Sequence, residues 1–402
     1  MCPRYLKLME KHVFCRRGRL ILYSDGLTVG NTLNHSSPRA TYCIYWSFLG
    51  LPTWAFSRGL GWLLFGVIDA AEVKEMQWEV SGLMVHVLKE FFGKNKNFAR
   101  LGLRVERSDG GTVVFQCDLV AFLQDFLAFQ QILKYRGAGG TLFCPRCMNV
   151  TQNWDVENSD FFKDLSAATP PSFVANSQEH VENCQQKMYR EMPTASKGDQ
   201  EKLQQFLGLC YAPGSLSWDE DLKPYLDPVR TVWIDWYHVL LTSGGLGQHV
   251  GNEFVRILTT TTSITLGNLD VFINAVVFPK HTSQPNHTLE YNFNPKPNSP
   301  WRLFAMTTYQ TLVCLKAYCD LVLAPLDRED LREPCRVFLL LCTIVDIFML
   351  KDETLNLVDR LRAVTLDFFH AAPKVFPSVV RPKLHLIFHC IQALVDMLFP
   401  TD

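Results

Sequence analysis

Apolar and polar positions change period several times along this chain. Between Val113 and Leu123 the residues are mostly apolar, with β-branched and aromatic enrichment, which predicts a buried strand. Asp125 stands where that strand gives out. Leu127, Phe129, Ile132 and Leu133 follow at roughly helical spacing, and the run Gly137-Ala-Gly-Gly140 is expected to stop that helix. Upstream, Leu20 to Tyr23 reads as an apolar strand with Asp25-Gly26 at its end. Residues 40–49 read as a second strand, antiparallel to the first after the loop 28–39. Residues 60–68 fit a third strand or a short buried helix. Met76, Val80, Met84, Leu88 and Phe91 predict one helix over residues 73–92. Residues 101–105 and 113–123 flank Ser108-Asp-Gly-Gly111, a hairpin signal.

Beyond residue 150 the texture changes. Residues 151–198 are polar, carry Pro170-Pro171 and have few apolar clusters, so an extended or loosely folded insertion is expected. A short helix is expected over 200–209. The apolar run 231–234 leads into Asp235-Trp-Tyr-His238. Gly244, Gly245 and Gly247 predict a turn, and Glu253 the start of another helix. Residues 279–300 form a Pro/Asn-rich connector. Apolar helices are then expected over 301–323, 332–350 and 354–369. Pro373, Pro377 and Pro382 punctuate the next loop, and the last element, 383–399, carries His385 and His389. No internal repeat is visible.

Composition narrows the class. The 402 residues are 48% apolar and 20% charged, enough for one large or two medium globular domains. The net charge of -1 rules out a polycation, so nucleic-acid binding would need a local patch or a further domain. Thirteen scattered cysteines without a signal peptide read as reduced intracellular thiols. Residues 1–18 are basic but lack a long apolar core, so no targeting segment is expected; Arg16, Arg17 and Arg19 face phosphate or water. The most apolar run, 337–350, is too short to span a bilayer and contains Asp346, so no membrane association is expected.

Three constellations could carry chemistry. Asp25 and Asp125 stand at strand ends, where paired carboxylates can share Mg²⁺, a cation that prefers hard oxygen ligands. Asp beside Gly is also an ordinary turn residue. Asp235 and His238 form a D-x-x-H that could orient a ligand or make a structural hydrogen bond. Cys144 and Cys147 have the spacing of a zinc half-site, and His385 and His389, four apart, share one helical face. His180 and Cys184 are an alternative second pair. An idle thiol pair with unrelated histidines remains open.

These residues together carry a resemblance. Asp25, then Asp125 with FLAFQQILKYRGAGG and CPRC, then DWYH, then RPKLHLIFH, resemble the catalytic region of DDE/D transposases of the CACTA (En/Spm) type. The likeness runs from about Arg19 onward and is loose over 151–198 and 279–300. More distantly, the set is similar to the catalytic core of the V(D)J recombinase. The resemblance implies an α/β, RNase H-like mixed-sheet core with a large, mainly helical insertion. It implies a first part of the core over 1–150, the insertion over 151–375, and a C-terminal helix over 376–402 returning to the core. It implies Asp25 and Asp125 as metal-binding acids using Mg²⁺ or Mn²⁺, with Asp118 a rival for the second. Asp235 and His238 become the [C/D]-x-x-H signature, and Cys144, Cys147, His385 and His389 become Zn²⁺ ligands. The implied partner is DNA at transposon ends, in the nucleus, and a homo-oligomer is compatible with it. Two departures stand out. The family's third acid, a Glu, is expected beyond the His pair, but no Glu follows Glu353; Glu253 and Glu353 are the residues to check. The expected upstream DNA-binding region is also absent. Both departures predict an internal piece with impaired catalysis.

Overall fold

The structure, a computed structural model, describes residues 3–13, 17–28, 40–57, 59–152, 160–166, 169–242, 244–279, 289–296, 299–301, 303–350 and 355–398. The chain is α/β, built on a five-stranded mixed sheet. Its strands are β1 (Gly18–Thr28), β2 (Ala40–Phe48), β3 (Leu63–Asp69), β4 (Cys117–Gln124) and β5 (Val232–Ile234), in the spatial order β3-β2-β1-β4-β5. β1 pairs antiparallel with β2, β2 antiparallel with β3, and β1 parallel with β4. Leu20, Ile21 and Leu22 are all buried, as a central strand covered on both faces requires.

The chain divides into two compact units, Met1–Lys163 with Phe173–Trp233, and Asp164–Ser172 with Ile234–Asp402. In the first unit, helix α1 (Val80–Phe92) meets the sheet through Phe91, whose ring lies edge-on to Trp46 with centroids 5.5 Å apart. Ser81 ties α1 to its neighbours. Its hydroxyl donates to the carbonyl of Ile132 (2.6 Å) and accepts from the Leu216 N–H (2.9 Å). Ile132 belongs to helix α2 (Phe126–Leu133), and helix α3 (Gln178–Glu191) follows in the same unit.

The second unit is mainly helical. It contains α4 (Trp236–Leu240), α5 (Leu246–Thr261), α6 (Ala305–Tyr318), α7 (Glu329–Met349), α8 (Leu355–Val375) and α9 (Pro382–Leu398). Phe254 of α5 stacks on Phe338 of α7 at 4.2 Å. Gly251 lets α5 approach Trp301: a Cβ there would meet the indole ring at 2.2 Å.

Several elements differ from the sequence expectations. β1 runs on through Asp25 to Thr28, because its antiparallel pairing with β2 continues to Thr28 opposite Ala40. The expected strand 113–123 is two strands. Thr112–Phe115 pairs with Leu103–Glu106 in the hairpin, and β4 begins afresh at Cys117 in the central sheet. The expected helix 73–92 is broken between Glu75 and Val80, where Trp78 (φ 66°) and Glu79 (φ 52°) leave helical space. α2 is ended by Lys134 in the left-handed conformation (φ 56°), ahead of the glycine run. The supposedly loose insertion holds α3, capped by Ser177, whose side chain accepts from the His180 N–H. α5 begins at Leu246, so Gly247 lies inside a helix.

Candidate functional site

The two acids flank the parallel strand pair. The last registered residues of β1 and β4 are Tyr23 and Leu123, and Asp25 and Asp125 each stand two residues further on. Neighbouring strands lie about 4.8 Å apart, and side chains two residues apart share a face. Between the two acids and that pair, Gln124 Nε2 donates to Ser24 Oγ at 3.0 Å, a buried link between the strands. Each acid already takes a protein donor. The Tyr23 hydroxyl donates to Asp25 Oδ2 (3.2 Å), and the Ala128 N–H donates to Asp125 Oδ1 (2.6 Å), so Asp125 is also the N-cap of α2. Asp118 stands at the opposite end of β4, opposite Arg19, and is ion-paired with Arg17. It is therefore not in register with Asp25. Arg16 and Glu353 lie outside the described residues.

Asp235 follows β5 directly and caps α4. Its Oδ1 accepts from the Tyr237 N–H (2.8 Å), and its Oδ2 lies 2.7 Å from His238 Nδ1. A carboxylate so placed orients the imidazole. Glu253 is buried, and its carboxylate pairs with Arg256 one turn on, at 2.7 Å.

The Cys-Pro-Arg-Cys turn is held by backbone on both flanks. The Met148 N–H donates to the Val174 carbonyl (3.0 Å), the Asn176 N–H to the Arg146 carbonyl (2.9 Å), and the Thr141 N–H to the Gln205 carbonyl (2.7 Å). Gly208, with φ 69°, lets the chain after helix Lys197–Leu207 pass close: a Cβ there would meet the Leu142 carbonyl oxygen at 1.9 Å. Cys144 and Cys147 are buried, and their proximity to each other together with burial pushes the Cys147 thiol well above its ordinary pKa. On successive turns of α9, His385 and His389 bring their Nε2 atoms to 3.0 Å.

Cys144 and Cys147 belong to the first unit, and His385 and His389 to the second. Together these four residues supply a set of ligand atoms that could hold a metal such as zinc. Two thiolates and two imidazoles are a zinc donor set, and Zn–S and Zn–N bonds of about 2.3 and 2.0 Å place tetrahedral ligand atoms about 3.3–3.8 Å apart. The residues present therefore fit the ion. His180 and Cys184, the alternative pair, lie one helical turn apart on α3 (3.6 Å) and line the same small cavity as the two thiols, but they do not join that four-atom cluster.

Sequence reasoning passed over His249, Arg381 and Lys383. The arginine and lysine were visible in the run RPKLHLIFH, ahead of the histidines; nothing in the sequence pointed to His249. Among the described residues no helix is long and apolar enough to cross a membrane. No protein-family model matches the sequence, and no curated protein matches it.

Proposed function

We propose that this chain is a transposase-like, transposon-derived core with an RNase H-like fold, acting on DNA in the nucleus. The observation that carries the reading is that Asp25, on β1, and Asp125, just after β4, each stand two residues beyond Tyr23 and Leu123, the last registered pair of these parallel strands. A mixed sheet in which the parallel pair β1–β4 carries an acid just beyond the paired end of each strand, beside the antiparallel strands β2 and β3, supports it. At those acids Mg²⁺ or Mn²⁺ would supply charge stabilisation for the attacking and leaving oxygens of a phosphodiester. The residues' own part is to offer one carboxylate just beyond the paired end of each strand, with Gln124 and Ser24 bonded across the two strands. Zn²⁺ at Cys144, Cys147, His385 and His389 serves structure, since four protein ligands leave no open position.

One observation favours a second reading, a zinc-stabilised DNA- or protein-binding module without catalysis. Glu253 spends its buried carboxylate on Arg256 and so does not offer a third acid.

Calorimetric titration with Mn²⁺, together with cleavage of supercoiled plasmid, tests the proposal. Divalent-ion binding is expected in the native chain and is expected to weaken at least tenfold in Asp25→Asn and in Asp125→Asn. Binding unchanged by both substitutions would overturn the reading of the acids. Ion binding without plasmid cleavage selects the non-catalytic module.

A further inference from the structure

A second polar cluster lies around the start of α9, in the helical unit. His249 of α5 is 2% exposed, and its Nδ1 is buried without a hydrogen-bond partner. A polar atom buried without a partner is costly, which marks a place where something else is expected to bond. Two cations bear on this ring: Arg381, immediately before α9, and Lys383, in its first turn. Each is held by a backbone carbonyl. Arg381 Nε donates to the Ser378 carbonyl (2.8 Å), and Lys383 Nζ donates to the His238 carbonyl (3.0 Å). The carboxylate of this cluster, Asp235, is engaged by the Tyr237 N–H and the His238 ring. The 17-residue α9 starts at Pro382, so Arg381 and Lys383 flank the positive end of its dipole, where its first backbone N–H groups lack intrahelical acceptors.

We propose that Arg381, Lys383, His249 and the N-terminus of α9 form a phosphate-binding site. Guanidinium, ammonium, ring N–H and helix N–H groups are all donors, and a tetrahedral oxyanion can accept from several at once. The ligand is a phosphate group, either a phosphodiester of a DNA strand or a free phosphate. Its assignment to DNA rests on the transposase-like reading above; the site itself does not.

The test uses the full chain labelled with ¹⁵N-histidine. Ring resonances are followed during titration with inorganic phosphate, then with a short DNA duplex, with chloride at matched ionic strength as the control. Phosphate is expected to shift the His249 ring signals saturably, with at least fivefold weaker binding in Arg381→Gln and in Lys383→Gln, while zinc content stays unchanged. For the duplex, fluorescence anisotropy is expected to show a salt slope lower by about one in each variant, the signature of one lost phosphate contact. If phosphate moves His249 and the duplex does not bind, the site stands with free phosphate as its ligand and the DNA reading fails. If His249 signals never move, or move equally in both variants, the site is overturned; duplex binding with an unchanged salt slope would then leave the DNA reading intact without it.

Discussion

At the scale of single residues, identity and spacing decided less than packing did. Cys-x-x-Cys is legible as a half-site, but two partner pairs with the same four-residue spacing competed for it: His385 with His389, and His180 with Cys184. Periodicity puts either pair on one helical face, so spacing alone does not choose between them. Cys147→Ser should therefore lower zinc content from about one per chain to near zero, measured by mass spectrometry after gel filtration. The same loss in Cys184→Ser would move the assignment to α3. Asp125 does two jobs that substitutions can separate. Asn caps helices about as well as Asp, whereas Ala forfeits about 1 kcal/mol. Asp125→Asn is expected to keep the thermal midpoint within about 2 °C while weakening Mn²⁺ binding, and Asp125→Ala to lower both. Equal midpoints for the two variants would show that the cap contributes nothing.

At the scale of elements, long periodic runs were legible, and their joints were not. The helices at the C-terminal side matched their apolar periodicity to within a few residues, with two exceptions: the turn Cys319–Leu323 widens after α6, and α8 runs on to Val375 and not to 369, with Pro373, expected in the following loop, inside it. The central strands were found, but the run 113–123 hid a joint at Gln116, because both halves are apolar and only pairing partners distinguish a hairpin from a sheet. α3 was overlooked for the opposite reason. Its polar composition masked Val181, Cys184, Gln185 and Met188, which lie on one buried face, and the cap at Ser177 that starts it. A buried side chain ties such elements together without leaving a sequence signal. Ser81 is fully buried and bonds both Ile132 and Leu216. Ser81→Ala leaves the Leu216 N–H without that acceptor and should cost about 1–3 kcal/mol, seen as a lower urea midpoint with an unchanged slope. A midpoint shift within error would mean that the hydroxyl's two bonds are replaced by water.

At the scale of the whole molecule, a net charge of -1 gives no long-range attraction for DNA, so any recognition must come from local fields such as the one around α9. That field has a consequence for stability. Burial first, then Arg381 and Lys383, depress His249 from the usual value near 6.5 to about 4. The folded chain therefore binds fewer protons than the unfolded chain between those values. The stabilising contribution is complete above pH 6.5 and is lost as pH falls toward 4, roughly 3 kcal/mol in all. Zinc held by the Cys/His set would also leave in acid as the thiolates take up protons, which would destabilise any variant that keeps the set. Comparing the native chain with His249→Gln separates the two effects, because loss of zinc enters both proteins alike while only one carries the titrating ring. Calorimetric scans between pH 7.5 and 4.5 should show the native midpoint falling more steeply than that of His249→Gln, with the difference growing below pH 6.5. Saturating phosphate should flatten the native curve, since an anion beside Arg381 and Lys383 offsets the charge that keeps the ring neutral. Parallel curves for the two proteins would mean that the ring is solvated in the folded chain, and the cluster around α9 would lose the buried, unpartnered atom on which its reading depends.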